Sequence, residues 1–202
     1  MTSPKHGVQG FGSSGRERLP LIEHKAQDDQ QRAAVKALEE GPRKGVYGPF
    51  LPLLRSPELL DRVAKVGEYL RFESILNARV RELTTCFTAR HLSNQFEWLM
   101  HAPLAVKAGV RQEALDAIHQ GARPPGIKLD EELAIDFARE LLTSHGVSDI
   151  TYAAARNEFG EKGVVELTML IGYFAMISWL MNVARTPAQT GSHGEPLSAF
   201  PQ

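Results

Sequence analysis

The sequence predicts an all-α protein, and three observations carry that prediction. No run alternates apolar and polar residues over the length of a strand. Apolar residues recur instead at helical spacing, between capping residues on one side and glycine or proline on the other. Near the C-terminus, Leu167 to Ala184 run eighteen residues without a charge, which only a helix accommodates well. At 202 residues the chain is long enough for one well-buried core.

In chain order, "MTSPKHGVQGFGSSGRERLP" reads as a flexible lead-in rich in glycine, serine and charge, without the apolar run and small-residue cleavage site of a secretory signal. "DDQQRAAVKALEE" is a polar helix closed by Gly41 and Pro42. "YGPFLPLLRSP" holds three prolines and is expected to be extended or irregular. Ser56, Pro57 and Glu58 form a helix start of cap, donor-free residue and acid, and Leu59, Leu60, Val63, Val66 and Leu70 follow at helical spacing. "NARVRELTTCFTARH" is the next helix, and another starts near Asn94 and stops at Gly109. "RQEALDAIHQG" is short, and "GARPPG" breaks the chain. "LDEELAIDFARELLTSHG" takes Asp130 as its cap and buries Leu133, Phe137 and Leu141. A shorter helix in "SDITYAAARNEFG" precedes the long apolar one. "VRELT" (Val80 to Thr84) recurs as "VVELT" (Val164 to Thr168), a weak internal repeat of two helical segments. The organisation expected is an extension over 1–44, a helical domain over 45–187 and a tail over 188–202.

A net charge of -1 and a pI near 6.7 give no basic footprint, so nucleic acid is not an expected partner. The single cysteine, Cys86, makes neither an internal disulfide nor a thiolate metal cluster, and a reducing cytoplasm is the default setting. The uncharged stretch 167–184 meets the length criterion for a membrane span. Thr168, Ser178 and Asn182 within it, and the lack of a basic cluster beyond Arg185, favour a core helix over an anchor.

The chemistry-bearing stretch is "NQFEWLMH". Glu97 and His101 are four residues apart, so a helix puts them on one face within contact distance, where the carboxylate fixes the imidazole tautomer or holds its proton. Glu82 reaches the same place if the preceding helix packs antiparallel after a turn near Leu92 and Ser93. A second reading stands beside this one: Asn94-x-x-Glu97 has the form of a capping box, with His101 a bystander. No His, Asp and Glu grouping has metal spacing, since Glu97 and His101 supply only two ligands. His6, His24, His119, His145 and His193 fall in tails or at helix ends and are expected to be solvated.

"FEWLMHAPLAVKAGV", with "RVRELTTCFTAR" upstream and "GVVELTMLIGYFAMISWLMNVA" downstream, resembles the carboxymuconolactone decarboxylase family over residues 45 to 187. The resemblance implies an alkylhydroperoxidase-D-like helical bundle. Peroxidases of that related type use a glutamate, a Cys-x-x-Cys pair and a histidine at the spacing of Glu82, Asn94, Glu97 and His101. Here Asn94 and Glu97 stand at the cysteine positions, and Cys86 reads as a small core residue, so thiol peroxidase chemistry has no nucleophile.

What the resemblance then implies is acid-base chemistry without a cofactor on a carboxylated lactone or related small molecule. His101 is the expected proton donor, with Glu97 orienting it and Glu82 completing the relay. Asn94 is a candidate donor to the enolate oxygen, and Phe96 and Trp98 are candidate pocket walls. An anionic substrate calls for an arginine, and Arg81 and Arg90 flank the site in sequence. The resemblance also implies a homo-oligomer, in which the long apolar helix is shared between subunits. Lactone hydrolysis or isomerisation at the same residues, and a non-catalytic helical assembly or binding protein, are the alternatives.

Overall fold

The computed structural model describes residues 16–188 and 195–197, and the regular structure among them is helical. Eight α-helices follow in order: α1 (Asp29–Glu40), α2 (Phe50–Leu53), α3 (Pro57–Phe72), α4 (Ala78–His91), α5 (Gln95–Lys107), α6 (Gln112–His119), α7 (Leu129–Ser144) and α8 (Asp149–Ala184). The all-α expectation holds. Of the histidines expected in the tails, His6 and His193 lie outside the described residues.

Local chemistry explains the helix ends. Asp28 and Gln31 exchange hydrogen bonds of 2.8 and 3.1 Å, a reciprocal cap that starts α1. The proline-rich segment, expected to be irregular, contains one helical turn, because Pro49 and Pro52 occupy positions where no intrahelical amide donor is needed. Ser56 precedes α3 but makes no side-chain cap, so Pro57 and Glu58 carry that start. On α3, Leu60, Val63 and Leu70 are buried, whereas Leu59 and Val66 face outwards. Asp130 is not the cap of α7. That helix begins two residues earlier than such a cap implies, after Lys128, and the Glu131 carboxylate accepts the Lys128 amide at 2.7 Å, while Asp130 is drawn away to Arg79 at 2.7 Å.

The hairpin of α4 and α5 positions the site. Asn77 starts α4 by accepting the Val80 amide at 2.9 Å. Its far end is closed by Ser93 in the left-handed region (φ 49°) and by the Asn94 amide donating to the Ala89 carbonyl at 2.8 Å. Asn94 then caps α5, accepting the Glu97 amide at 2.9 Å. The chain thus reverses in two residues, and the two helices pack antiparallel along their length.

Helix α4 is central and contacts α5, α6, α7 and α8, with one apolar cluster on each side. Cys86 belongs to the cluster shared with α5 and α6 and has no exposed surface. Helix α8 is broken at Gly160 (φ 71°), which divides it into the short and the long helix expected from the sequence. Of the most apolar window of α8, 61% is buried within the chain. Leu167, Leu170, Ile171, Phe174, Ile177 and Met181 enter the core, so the missing charges are those of a core helix.

Glu82 and Glu166, the matching acids of the weak repeat, do different work. Glu166 fastens α8 to the end of α3, accepting Tyr69 and Ser74 hydroxyls at 2.6 Å each and the Ile75 amide at 2.8 Å. Glu82 faces His101 instead.

Candidate active site

Two helical relationships bring the acid-base residues together. Within α5, Glu97 and His101 lie one turn apart, and the Glu97 carboxylate approaches His101 Nε2 at 3.3 Å. Across the hairpin, Glu82 of α4 lies 2.6 Å from His101 Nδ1. His101 and Glu97 are each 2% exposed, and the edge of Phe174 packs at 5.0 Å from the imidazole. Asn94 caps α5 as the capping reading requires, yet Glu97 turns its carboxylate to His101 and does not close the box.

Burial opposes a charged imidazole, but the hydrogen bond and charge of Glu82, followed by those of Glu97, outweigh it and hold His101 up at about 9. At neutral pH the ring is therefore an imidazolium with one N–H directed at each carboxylate. Burial also opposes the Glu82 carboxylate, and the hydrogen bond and charge of His101 overcome it, leaving its pKa below the ordinary carboxylate value. Both ring nitrogens are engaged, so neither offers a lone pair to a metal. Among the described residues no group of three His, Cys, Asp or Glu side chains is placed to hold a metal ion.

Glu97 and His101 open onto a cavity of about 30 Å³, room for one or two waters. Phe96 and Met100 of α5 and Tyr173, Phe174 and Ile177 of α8 line it. Arg71 at the end of α3 and Arg43, Tyr47, Pro49 and Phe50 from the segment before α3 complete it. Gly48 makes the close approach of this roof possible: its φ is 58°, and a Cβ there would collide with the Phe96 ring. Burial pushes Tyr173 up to about 12, with Glu97 adding to it against Arg43 and Arg71, so its hydroxyl stays a proton-bearing donor.

Several sequence expectations about this cavity need correcting. Asn94 does not face it, since its amide donates to the Ser178 carbonyl at 3.2 Å and to Asn182 Oδ1 at 3.0 Å. Trp98, one position beyond Glu97 on the helix, points to the opposite side, where its indole donates to the Glu195 carbonyl at 3.0 Å and packs on His119. His119 is accordingly half-buried, while His24 and His145 are exposed. Arg81 donates to the Leu76 carbonyl, and Arg90 to the His119 carbonyl at 2.7 Å; neither lines the cavity. The two arginines that do, Arg43 and Arg71, come from segments remote in sequence, as does Tyr173. Nothing in the spacing around "NQFEWLMH" marks them.

A larger groove of about 740 Å³ runs beside Trp98, Leu115 and His119 on the far side of α5. Asp116, His119 and Glu195 line it, but the contacts of 2.6 and 3.3 Å that couple Glu82, His101 and Glu97 lie at the smaller cavity. Cys86 cannot substitute as a nucleophile. Burial first, then Glu82 and Glu97, push its thiol well above the ordinary range.

The fold is AhpD-like, and a Glu-His-Glu cluster lies at its centre. Residues 57–138 match the model of the carboxymuconolactone decarboxylase family, and the fold around them is AhpD-like. An uncharacterized peroxidase-related protein from Silicibacter sp. TM1040 superposes with a TM-score of 0.70 at 16% identity, covering 96% of this chain and 98% of that one. The alkylhydroperoxidase AhpD core of an uncharacterized peroxidase-related protein from Ralstonia eutropha JMP134 gives 0.69 at 17% identity, covering 86% and 93%. The debrominase Bmp8, in a complex with 2,3,4-tribromopyrrole, gives 0.66 at 13% identity, covering 89% and 95%. At these identities the likeness is one of fold. Comparison with curated proteins gives no sequence match.

The raised His101 pKa has a consequence for stability. Its stabilisation is fully present below the ordinary value of 6.5 and is lost as pH rises through about 9. The depressed Glu82 pKa acts at the other end: its share is present above the ordinary 4.5 and is lost as pH falls through the folded value. Thermal melts across the alkaline window should show a declining midpoint for the wild type and a flatter profile for Glu82→Gln. Equal slopes would remove Glu82 as the group that holds the proton.

Proposed function

We propose that the chain is a cofactor-independent acid-base enzyme that decarboxylates a carboxylated lactone or a related small molecule. The observation that supports this most is a buried, protonated His101 beside Glu97, open to a cavity that also presents two guanidinium groups. In the reaction, the C–C bond to the substrate carboxylate breaks and carbon dioxide leaves. The electron pair passes into the ring as a conjugated enolate. A proton then goes to carbon from His101, directly or through Glu97, and His101 regains one from solvent. Glu82, behind the imidazole and away from the cavity, is a positioning residue that sets the proton affinity. The Tyr173 hydroxyl takes the part first expected of Asn94, donating to the enolate oxygen. A lactone ring exceeds the cavity as it stands, so entry requires the Tyr47 to Phe50 roof to open.

Lactone hydrolysis or isomerisation would use the same residues with His101 deprotonated to act as base. The pKa near 9 favours proton donation over abstraction at neutral pH. Turnover of γ-carboxymuconolactone, followed by ultraviolet absorbance and released carbon dioxide, should be lost by roughly 100-fold or more in His101→Gln and His101→Ala. Turnover without carbon dioxide would transfer the site to hydrolysis or isomerisation. A folded wild type inert on lactones would leave a binding or assembly protein.

The outer face of α8 supports a homo-oligomer. Val165, Met169, Met176, Trp179 and Val183 are each between 44% and 61% exposed, and with Gly172 they recur at alternating four- and three-residue steps. That spacing is the seam of a coiled coil, and it is self-complementary when a second copy presents the same helix. Light scattering on the purified wild type should give a multiple of 22.3 kDa, and Met176→Glu should lower it. A monomeric wild type would refute the shared seam.

A further inference from the structure

We propose that Arg43 and Arg71 together form a carboxylate anchor, so that the site selects a ligand carrying one carboxylate next to the ring that meets Glu97 and His101. The inference rests on the acid-base reading of the same cavity and adds the group that makes it selective. Both arginines are half-buried and line the cavity. Elsewhere in the chain, Arg79 and Arg123 pair with acids at 2.6 to 3.1 Å, yet no carboxylate among the described residues lies within ion-pair distance of Arg43 or Arg71.

What holds the two guanidinium groups leaves donors over. Arg43 gives an Nη2 hydrogen bond of 2.9 Å to the Ala64 carbonyl, meets the Tyr173 hydroxyl and lies over the Phe50 ring at 4.6 Å. Arg71 lies over Phe72 at 5.2 Å, and its Nε is buried without a hydrogen-bond partner. A buried donor without an acceptor is costly, and a carboxylate oxygen would satisfy it. The cavity's lining agrees: its charged side chains are Arg43, Arg71, His101 and a single carboxylate, Glu97, an excess of positive charge that suits an anionic group. Its small volume accommodates a carboxylate before any ring. Arg71 lies inside the family-matched region and Arg43 outside it, so the segment preceding α3 supplies half of the anchor.

The test uses 2-furoate as a small ring carboxylate and 2-furamide as its uncharged counterpart, with binding to the full chain followed by calorimetry. Wild type should bind 2-furoate and not 2-furamide. Arg71→Gln and Arg43→Gln, each checked for native circular dichroism, should weaken 2-furoate binding by about tenfold or more, the loss expected for a charge-assisted pair. Equal binding of acid and amide, or unchanged affinity in both arginine variants, overturns the anchor. Arginine-dependent binding without turnover of any lactone would keep the anchor and refute the decarboxylase; turnover with an unchanged KM in both arginine variants would do the reverse.

Discussion

A protonated imidazole with almost no exposed surface can persist only if the protein replaces the water it has lost. In this chain two carboxylates do so, one from α4 and one from α5, each directed at a ring nitrogen. Everything else around the site follows from holding those three groups in place. The two-residue turn at Leu92 and Ser93 brings Glu82 opposite His101. Asn94 fixes both the first turn of α5 and its contact with α8, and Phe174 closes the remaining side of the ring. Removing either carboxylate would leave the imidazolium short of a partner and lower its proton affinity.

The same arrangement bears on Cys86, in a fold similar to that of AhpD proteins. The one cysteine is buried in the cluster shared with α5 and α6, and burial, with two nearby carboxylates, raises its pKa. Asparagine at 94 serves α8 and the helix cap, and glutamate at 97 serves the histidine. Both side chains are committed to contacts within the chain, Asn94 to α8 and the cap and Glu97 to His101.

Much of this was legible in the sequence because it is local. The four-residue step from Glu97 to His101, the turn that returns Glu82, and the core character of Cys86 all follow from helical periodicity and a short connection. Adjacency along the chain is not adjacency in space. Trp98 follows Glu97 directly, yet a rotation of about 100° per residue turns it to the other side of α5. Arg81 and Arg90 flank the motif but bond carbonyls elsewhere. Arg43, Arg71 and Tyr173 reach the cavity only through packing of α3, α8 and the roof segment, and no spacing within one helix encodes that. Asp130 lost its expected capping role to a cross-helix arginine, which only the tertiary fold supplies.

The central claim is the protonation state of His101, and ¹⁵N NMR of the labelled imidazole reads it directly. At neutral pH both ring nitrogens should carry a proton, with a titration near 9 that moves down in Glu82→Gln. A neutral ring with a single N–H at neutral pH would contradict the account, because the cavity would then hold a base where the structure calls for an acid.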